Sequence, residues 1–361
     1  MGELNENHQN LKISILDLPD IFMISVFELF SMKKRLQISR VCKKWNSLVK
    51  DASLWAKFDF RDEKNGINLD DIKNIILLYG SESSKQLFLA GNYSFHFKHK
   101  IDEKATTQLV GIDTHFLKNI LPDKCSNMDK IVLEYLDLSS LIFQDFSFLK
   151  ELKILSFKWC NMNQIFFNIN DRTETKIEQL YLIKSGNLTV DDVKTICWKM
   201  PYLNTLCINQ AQSSINDDSI HYMVKHLINL ESLELTNTLI SDMGIQSICE
   251  SPHLAKNLKF LNISMSSCLT NSCLNLLSEH LSCLKSLYLT SCFGISNVQL
   301  LQNFVNLSYL NLNNTSIERE KIRESLLPVL PKCEIDFGHE KMLNRKLMWT
   351  INGSRNCVCS F

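Results

Sequence analysis

The sequence predicts an α/β solenoid: a curved parallel sheet with outer helices, preceded by a small all-helical domain. Two observations carry this prediction. A leucine motif recurs in phase from about residue 128, and the segments between its copies have apolar residues at helical spacing. Before the motif begins, residues 14–60 place apolar and aromatic side chains three and four positions apart, a pattern typical of short helices.

The repeating motif reads leucine, two residues, leucine, one residue, leucine, two residues and then a small or polar residue. Its second leucine position recurs every 23 to 28 residues from Ile131 to Cys333. That length fits one short strand, one turn and one helix, and such a unit buries its leucines only by stacking on its neighbours. An earlier strand is predicted at residues 85–89. Copies of the motif begin at Met128, Leu152, Ile177, Leu203, Leu230, Leu258, Leu284, Leu307 and Leu330.

The segments between the motifs carry helix start signals. Thr189, Asn216 and Ser241 each precede acidic residues and an amphipathic stretch, and these residue types cap helix N-termini. Helices are therefore expected on the outer side of the sheet. The predicted helical segments are 189–200, 216–228, 270–281 and 317–327.

The composition restricts the partners and the compartment. The 361-residue chain has equal numbers of basic and acidic residues, which argues against non-specific binding to nucleic acid or an anionic membrane. No apolar run approaches the roughly 18–20 residues that cross a bilayer, and the N-terminus lacks the pattern of a signal peptide. Thirteen scattered cysteines then indicate free thiols in a reducing compartment. We expect a cytoplasmic or nuclear protein, or one found in both, with no nucleic-acid or membrane partner.

Motifs for common enzyme chemistry are missing from the sequence. Its ten glycines are spaced so that GxGxxG, GxxxxGK and GxSxG do not occur, and CxxC and HExxH are also absent. His96 and His99 have no cysteine or carboxylate at ligand spacing, and Cys160 and Cys292 fill a structural position of the motif. We expect no catalytic residue, no metal site and no cofactor. A cysteine enzyme is the alternative, and it would need a thiol of low pKa beside a histidine.

The patterns divide the chain into five parts. We predict a flexible tail at residues 1–13, the helical domain at 14–60 and the repeats at 128–338. Residues 61–127 are predicted to be a linker that contains at least one degenerate repeat. Residues 339–361 are predicted to cap the open end of the solenoid, with folding back over its concave face as the alternative.

The order of residues in the helical domain resembles an F-box. In that family the helices bind the Skp adaptor of cullin–RING ubiquitin ligases. The resemblance covers roughly residues 15–58 and is carried by Leu18-Pro19-Asp20, Val26-Phe27, the run from Leu36 to Trp45, Leu48 and Leu54-Trp55. The adaptor-binding residues that it implies are Leu18, Pro19, Ile24, Val26, Phe27, Val41, Cys42 and Trp45.

The repeats resemble leucine-rich repeats, and an F-box followed by such repeats is the arrangement of the F-box/leucine-rich-repeat family. Within it, the short chain and the run at residues 38–42 resemble a small animal member. The family implies a non-catalytic subunit of an SCF (Skp–cullin–F-box) ubiquitin ligase, which binds the adaptor and cullin through the F-box. Its repeats would bind a protein substrate and so promote ubiquitination of that substrate.

The alternative function is a leucine-rich-repeat scaffold for protein interactions that engages no ligase. Two departures from the F-box pattern keep it open. Ser31 stands where many F-boxes have proline, and Lys34 stands where an acidic residue is common.

The concave face of the sheet is the predicted substrate-binding surface. Side chains alternate along a strand, so the residues between the inward leucines face outward. These residues are mostly polar and uncharged, they include tyrosines, which suit protein contacts, and they offer no arginine ladder for a phosphate. The predicted substrate-binding residues are Tyr181, Cys207, Asn209, Glu234, Asn262, Tyr288, Asn311 and Asp336.

Overall fold

The structure is a computed structural model of the chain. It describes residues 15–61, 68–91, 111–167, 174–185, 188–209 and 215–338. The predicted tail at 1–13, the predicted cap at 339–361 and the histidines His96 and His99 lie outside the described residues.

One parallel sheet organises the described part of the chain. Its eleven strands lie in chain order, and neighbouring strands pair through equivalent motif positions, as Leu233 does with Leu206 and Leu261. Helices and turns on the outer side return the chain to the start of each next strand, which confirms the predicted solenoid. The strands are β1 (Lys57–Asp59), β2 (Gln86–Ala90), β3 (Lys130–Glu134), β4 (Ile154–Lys158), β5 (Gln179–Ile183), β6 (Thr205–Asn209), β7 (Ser232–Thr236), β8 (Phe260–Asn262), β9 (Ser286–Tyr288), β10 (Tyr309–Asn311) and β11 (Glu334–Asp336).

The helices divide between the N-terminal domain and the outer side of the solenoid. The N-terminal domain contains α1 (Asp20–Glu28), α2 (Met32–Ile38) and α3 (Lys43–Val49). The outer helices are α4 (Leu69–Tyr79), α5 (Leu121–Lys124), α6 (Val190–Lys199), α7 (Asp217–His226), α8 (Asp242–Glu250), α9 (Pro252–Asn257), α10 (Ser272–His280), α11 (Val298–Leu301) and α12 (Arg319–Lys321).

The outer helices begin at the predicted caps, and their first turns also form hydrogen bonds to the neighbouring repeat. The Thr189 hydroxyl accepts a hydrogen bond from the Asp192 N–H at 3.2 Å, and the Asp192 carboxylate accepts one from the Thr189 N–H at 2.7 Å, which completes a capping box. Further along, Asp217 at the start of α7 accepts a hydrogen bond from the Ser241 N–H of the next repeat at 2.9 Å. Asp242 at the start of α8 does the same for the Thr270 N–H at 2.9 Å. Acidic residues in the first helical turn therefore tie consecutive repeats together.

One early repeat has a short 3₁₀ turn in place of an α-helix, and aromatic rings from this repeat and the described part of the next one pack together there. A short 3₁₀ turn, Phe143–Phe146, stands where later repeats have a helix. The ring of Phe157 on β4 packs edge-on against Phe146 and Phe166, at centroid distances of 5.7 and 5.5 Å. Edge-to-face rings at this distance pack favourably, so large side chains replace the missing helix.

A left-handed backbone conformation recurs at one position of the repeats, at or shortly after the end of the strand. Among the described residues, seven that are not glycine have φ between 50° and 61°, and they occupy the same position of their repeats. A left-handed residue turns the chain sharply away from the sheet, and it does so here without the glycine that usually takes this conformation. These residues are Tyr135, Trp159, Lys184, Asn237, Met265, Ser291 and Asn314.

The N-terminal domain joins the solenoid through a shared core. Trp55 is fully buried, its indole N–H donates to the Val49 carbonyl oxygen at 2.6 Å, and its ring stacks on Tyr79 of α4 at 4.1 Å. Immediately afterwards the chain forms β1, whose Phe58 pairs in register with Leu87 of β2. The sequence patterns do not reveal β1, which lies inside the range predicted to be helical.

Removal of an inward leucine is expected to destabilise the whole repeat array. Leu261 on β8 is fully buried, whereas Leu239 lies in an outer turn with 49% of its side chain exposed. We expect Leu261→Ala to lower the free energy of unfolding by about 2–5 kcal/mol, because it leaves a cavity in the stacked core. The matched control Leu239→Ala should change it by less than about 0.5 kcal/mol. Urea unfolding followed by circular dichroism measures both; equal effects would contradict the described core.

Candidate functional site

Helix α1 presents an exposed apolar face. Leu29, Ile21 and Phe22 are 84%, 70% and 61% exposed, and Val26 is 40% exposed. Phe22, Val26 and Leu29 follow one another at four- and three-residue spacing, so they lie on one side of the helix. We call Ile21, Phe22, Val26 and Leu29 the α1 apolar face. An exposed hydrocarbon surface of this kind is typical of a site that binds a partner.

The structure corrects the prediction at Phe27. Its side chain is 1% exposed, and its ring packs edge-on against Trp45 with the centroids 5.5 Å apart. Phe27 follows Val26 by one helical position, about 100° around the helix, and this rotation turns its ring into the domain core. Phe27 therefore supports the α1 apolar face from beneath. Of the other predicted residues at this end, Leu18 and Pro19 are exposed and Ile24 is half-buried.

The remaining predicted adaptor residues lie at the turn between α2 and α3. Val41 is exposed, and the Cys42 sulfur caps α3 by accepting a hydrogen bond from the Trp45 N–H at 3.4 Å. The Lys44 Nζ lies 3.2 Å from the Asp20 carboxylate, which brings this turn beside the start of α1. Trp45 is half-buried, and its indole Nε1 is buried without a hydrogen-bond partner among the described residues. The structure thus brings this turn close to the N-terminal end of α1.

The two departures from the F-box pattern leave the domain fold intact. Ser31 begins α2, and its hydroxyl accepts a hydrogen bond from the Lys34 N–H at 3.4 Å. A capping serine thus starts the helix where many F-boxes have proline. Both side chains are exposed, so neither contributes to the core.

Arg35 links α2 to the end of α1 and to the turn before β1. Its guanidinium donates hydrogen bonds to the carbonyl oxygens of Phe27 and Glu28 at 3.0 and 2.9 Å, and it also contacts the Leu54 carbonyl oxygen. These acceptors lie at the end of α1 and in the turn before β1. One side chain therefore connects α2 to α1 and to the turn before β1.

Three rows of outward side chains cross the concave side of the sheet. The sequence predictions cover the middle and last rows and leave out the first. The first row contains Lys57, Gln86, Lys130, Ile154, Gln179, Thr205, Ser232, Phe260, Ser286, Tyr309 and Glu334. The middle row contains Asp59, Phe88, Val132, Ser156, Tyr181, Cys207, Glu234, Asn262, Tyr288, Asn311 and Asp336.

Most of the predicted substrate-binding residues in the middle row are less accessible than alternation alone implies. Cys207 and Glu234 are only 1% and 3% exposed. In the register Cys207 lies between Tyr181 and Glu234, and strands about 4.8 Å apart let larger side chains cover a smaller one. The predicted residues that are buried are Tyr181, Cys207, Glu234, Asn262 and Asn311. Those that are half-exposed are Asn209, Tyr288 and Asp336.

Near its C-terminal end the concave face is a hydrogen-bonded polar network. The Asn311 side-chain oxygen accepts a hydrogen bond from the Thr290 hydroxyl at 2.8 Å. The Tyr309 hydroxyl donates to the Asp336 carboxylate at 3.5 Å, and the Tyr309 ring lies 4.9 Å from Tyr288. Burial and the nearby charge of Asp336 raise the pKa of Tyr309 to about 12. The Tyr309 phenol at this end is therefore protonated at neutral pH.

At the other end of the sheet, three basic side chains surround one aromatic ring. The Lys57 Nζ, the Arg61 guanidinium carbon and the Lys130 Nζ lie 4.5, 4.4 and 5.5 Å from the centroid of the Phe88 ring. We call Lys57, Arg61, Lys130 and Phe88 the Phe88 cluster. Asp59 contributes a carboxylate 2.9 Å from Lys57 and 2.7 Å from Arg61. Sequence reasoning misses the cluster because β1 is unrecognised; basic residues at equivalent strand positions are the signal that finds it.

A second aromatic and cationic group stands on the left-handed residues beside this end of the sheet. The Tyr135 and Trp159 rings stack with centroids 6.3 Å apart, and the Lys184 Nζ lies 4.3 Å from the Trp159 centroid. These are consecutive residues of the left-handed series, so the regular turn geometry aligns them. Their contacts are cation–π interactions of the kind that favours exposed lysines over aromatic faces.

The cysteines of the repeats are structural groups. The Cys160 and Cys292 thiols each donate a hydrogen bond, at 3.3 Å, to a carbonyl oxygen of the preceding repeat, Leu133 and Ile263 respectively. Burial raises the pKa of Cys160 to about 12 and that of Cys292 to about 11. Such thiols carry almost no thiolate at neutral pH, which disfavours their use as nucleophiles.

Metal-binding groups and membrane-spanning helices are not features of the described ranges. Within them, histidine, cysteine and acidic side chains nowhere gather in a group of three or more that would hold a metal ion. The helices in those ranges also include none with the length and apolarity that a membrane span requires.

The fold is a solenoid of leucine-rich repeats that follows a small helical domain with an exposed apolar face. The F-box-like family model matches residues 15–61, the region that contains this domain. F-box/LRR-repeat protein 12 of Mus musculus is 39% identical to the chain over 46 residues, which are 13% of this chain and 14% of the mouse protein. Both matches cover a small part of the chain, and they show that it contains a region similar to an F-box.

The resemblance to a small animal family member agrees with the mouse protein, which is the member numbered twelve. Among solved structures, an internalin from Listeria monocytogenes aligns with 75% of this chain and 71% of its own, at 16% identity and a TM-score of 0.43. The solenoid itself is defined by the strand pairing described above.

Thiol labelling separates structural cysteines from a catalytic one. Cys268 is exposed, whereas burial raises the pKa values of Cys197 and Cys249 to about 12 each. In the native protein at neutral pH we expect maleimide to modify Cys268 at least about tenfold faster than either buried thiol, since a raised pKa lowers the thiolate fraction. Peptide mass spectrometry measures each rate, and labelling in urea is the control. A buried cysteine that reacts as fast as Cys268 in the folded protein would support the cysteine-enzyme alternative.

Proposed function

We propose that this protein is the substrate-recognition subunit of an SCF-type E3 ubiquitin ligase. The single observation that carries the proposal is the α1 apolar face on a domain that matches the F-box-like family. In this role the N-terminal domain binds the Skp adaptor, through which the cullin is recruited, and the repeats bind a protein substrate. The chain performs no chemistry, and it acts by raising the effective concentration of substrate near the conjugating enzyme. It works in the cytoplasm, the nucleus or both.

The exposure of the side chains supports a particular choice of residues for the adaptor contact. Leu29 and Phe22 are 84% and 61% exposed, whereas Val41, Val26 and Leu18, which the F-box resemblance predicts, are 63%, 40% and 37% exposed. Large apolar side chains that become buried at an interface contribute the most to affinity when they lie near its centre. The proposed contact surface therefore consists of the α1 apolar face together with Leu18 and Val41. Phe27 contributes by keeping α1 in position.

The junction at Trp55 supports a receptor that holds two partners at once. The stacked Trp55 and Tyr79 rings bury the connection between the N-terminal domain and the first repeat. A partner bound to α1 and a partner bound to the concave sheet would thus be held by one continuous body. A receptor that acts through proximity benefits from such a connection, because a fixed span maintains the effective concentration.

A charge on the α1 apolar face should weaken adaptor binding without unfolding the protein. We expect Phe22→Asp and Val26→Asp each to weaken binding of the Skp adaptor by roughly 30-fold, about 2 kcal/mol, because a carboxylate would be buried at the interface. Titration of the purified full chain with the adaptor, by calorimetry, measures the change.

The matched control is Met243→Asp on the outer helix α8, where the side chain is 71% exposed. This variant should bind the adaptor normally, and thermal unfolding should be similar for all three variants. A wild-type chain that does not bind the adaptor would exclude the ligase role and favour the scaffold alternative.

A further inference from the structure

The neutral chain divides its charge along the concave face. On β1–β5 and the residues just after them, the outward positions carry Lys57, Arg61, Lys130, Lys158 and Lys184 against only Asp59 and Glu134. On β6–β11, as far as these strands are described, the outward positions carry Glu234, Glu334 and Asp336 and no basic residue. The end of the face nearest the N-terminal domain is therefore cationic, and the far end is acidic.

Within the cationic end, the Phe88 cluster has more positive charge than its own carboxylates balance. Asp59 is shared by Lys57 and Arg61, and Glu134 lies 4.0 Å from Arg61. Lys130 forms no ion pair within the described residues, and its ammonium group lies over the Phe88 ring. An added anion at this point would therefore meet a cation that forms no ion pair within the described residues.

The protonation of the cluster reflects this excess. Burial and the neighbouring charges of Arg61 and Lys57 lower the pKa of Lys130. Burial pushes the pKa of Asp59 upward, but hydrogen bonds from Arg61 and Lys57 outweigh that effect and bring it to about 2. Asp59 is thus fully ionised at neutral pH, and even so Lys130 remains in a positive field.

Access to the cluster is adequate for a peptide. The Lys57 side chain is 49% exposed and that of Arg61 is 32% exposed, so their charged ends reach the groove. The Phe88 ring is only 4% exposed, so it holds the basic side chains in place and is itself covered. An acidic segment fits this surface, since its carboxylates meet the cations.

We propose that the Phe88 cluster binds an acidic, aspartate- or glutamate-rich segment of the protein substrate, which lies across the concave face with that segment toward the N-terminal domain. The proposal rests on the proposed function and gives it a substrate class and an orientation. The acidic far end of the sheet repels the same segment, so the charge division fixes its direction.

Peptide binding to the full chain tests the proposal. The probes are short rhodamine-labelled peptides in which alanine alternates with glutamate, with glutamine, with lysine or with phosphoserine. At low salt we expect the glutamate peptide to bind about tenfold more tightly than the glutamine peptide, and the difference should shrink as salt screens the charges. Fluorescence anisotropy measures each affinity.

Charge reversal provides the decisive variant. Lys57→Glu combined with Lys130→Glu should remove the preference for glutamate and create a preference for the lysine peptide. Because the first of these changes places a new carboxylate beside Asp59, the milder single variant Lys130→Gln serves as a second test and should reduce the preference alone. The matched control is Lys225→Glu combined with Lys332→Glu, which changes the net charge equally at exposed positions outside the concave rows.

Three results would overturn the proposal: equal affinity for the glutamate and glutamine peptides, binding of the phosphoserine peptide alone, or tighter binding of polyuridylate RNA at the same residues. Adaptor binding by the same protein samples is measured in parallel. A wild-type protein that binds the adaptor but shows no preference for the glutamate peptide would reject the acidic-segment site and leave the ligase role standing. The reverse result would reject the ligase role and leave the binding site.

Discussion

The structure depends on one packing constraint: no repeat can bury its inward leucines without a neighbour. Each strand presents its leucines to the same core, and parallel pairing in register brings equivalent positions together from β1 to β11. The N-terminal domain obeys the same constraint, because Trp55 and Phe58 continue its core into that of the first repeats. The acidic caps between α7 and α10 reinforce the stacking with hydrogen bonds. Outer helices vary in length or give way to phenylalanines, whereas the sheet does not change.

Sequence patterns predict the regular part of this fold well. The leucine spacing identifies strands from β3 onward, and Thr189, Asn216 and Ser241 cap helices as expected. What the patterns miss is β1, since its three residues are too short to show alternation and follow directly on a helical domain. Its position is set by pairing with β2 and by the aromatic core beneath, which are tertiary contacts. The sequence patterns also do not show that a 3₁₀ turn replaces a helix near Phe143, because ring packing between repeats, which is a tertiary contact, sets this feature.

The functional surfaces are harder to derive than the fold. Helix α1 is apolar on most of its circumference, so its sequence does not say whether Val26 or Phe27 faces solvent. On the concave face, alternation finds the outward residues correctly but not their accessibility, and Cys207 and Glu234 are covered by row neighbours. The Phe88 cluster draws on β1, β2 and β3, which are far apart in the sequence. The net charge of the chain does not reveal the Phe88 cluster either, because basic and acidic residues cancel over the whole chain.

The left-handed series after the strands has a consequence for how this solenoid tolerates change. Seven positions hold a side chain in a conformation that costs roughly 1–2 kcal/mol compared with the right-handed one. Stacking holds each of them there, so the array carries a distributed strain that glycine would relieve. These turns lie beside the concave groove, and Tyr135, Trp159 and Lys184 use three of them to display aromatic and basic groups. The strained positions are thus the ones whose side chains border the groove. A substitution at one of them changes the surface of the groove and the stability of that repeat together.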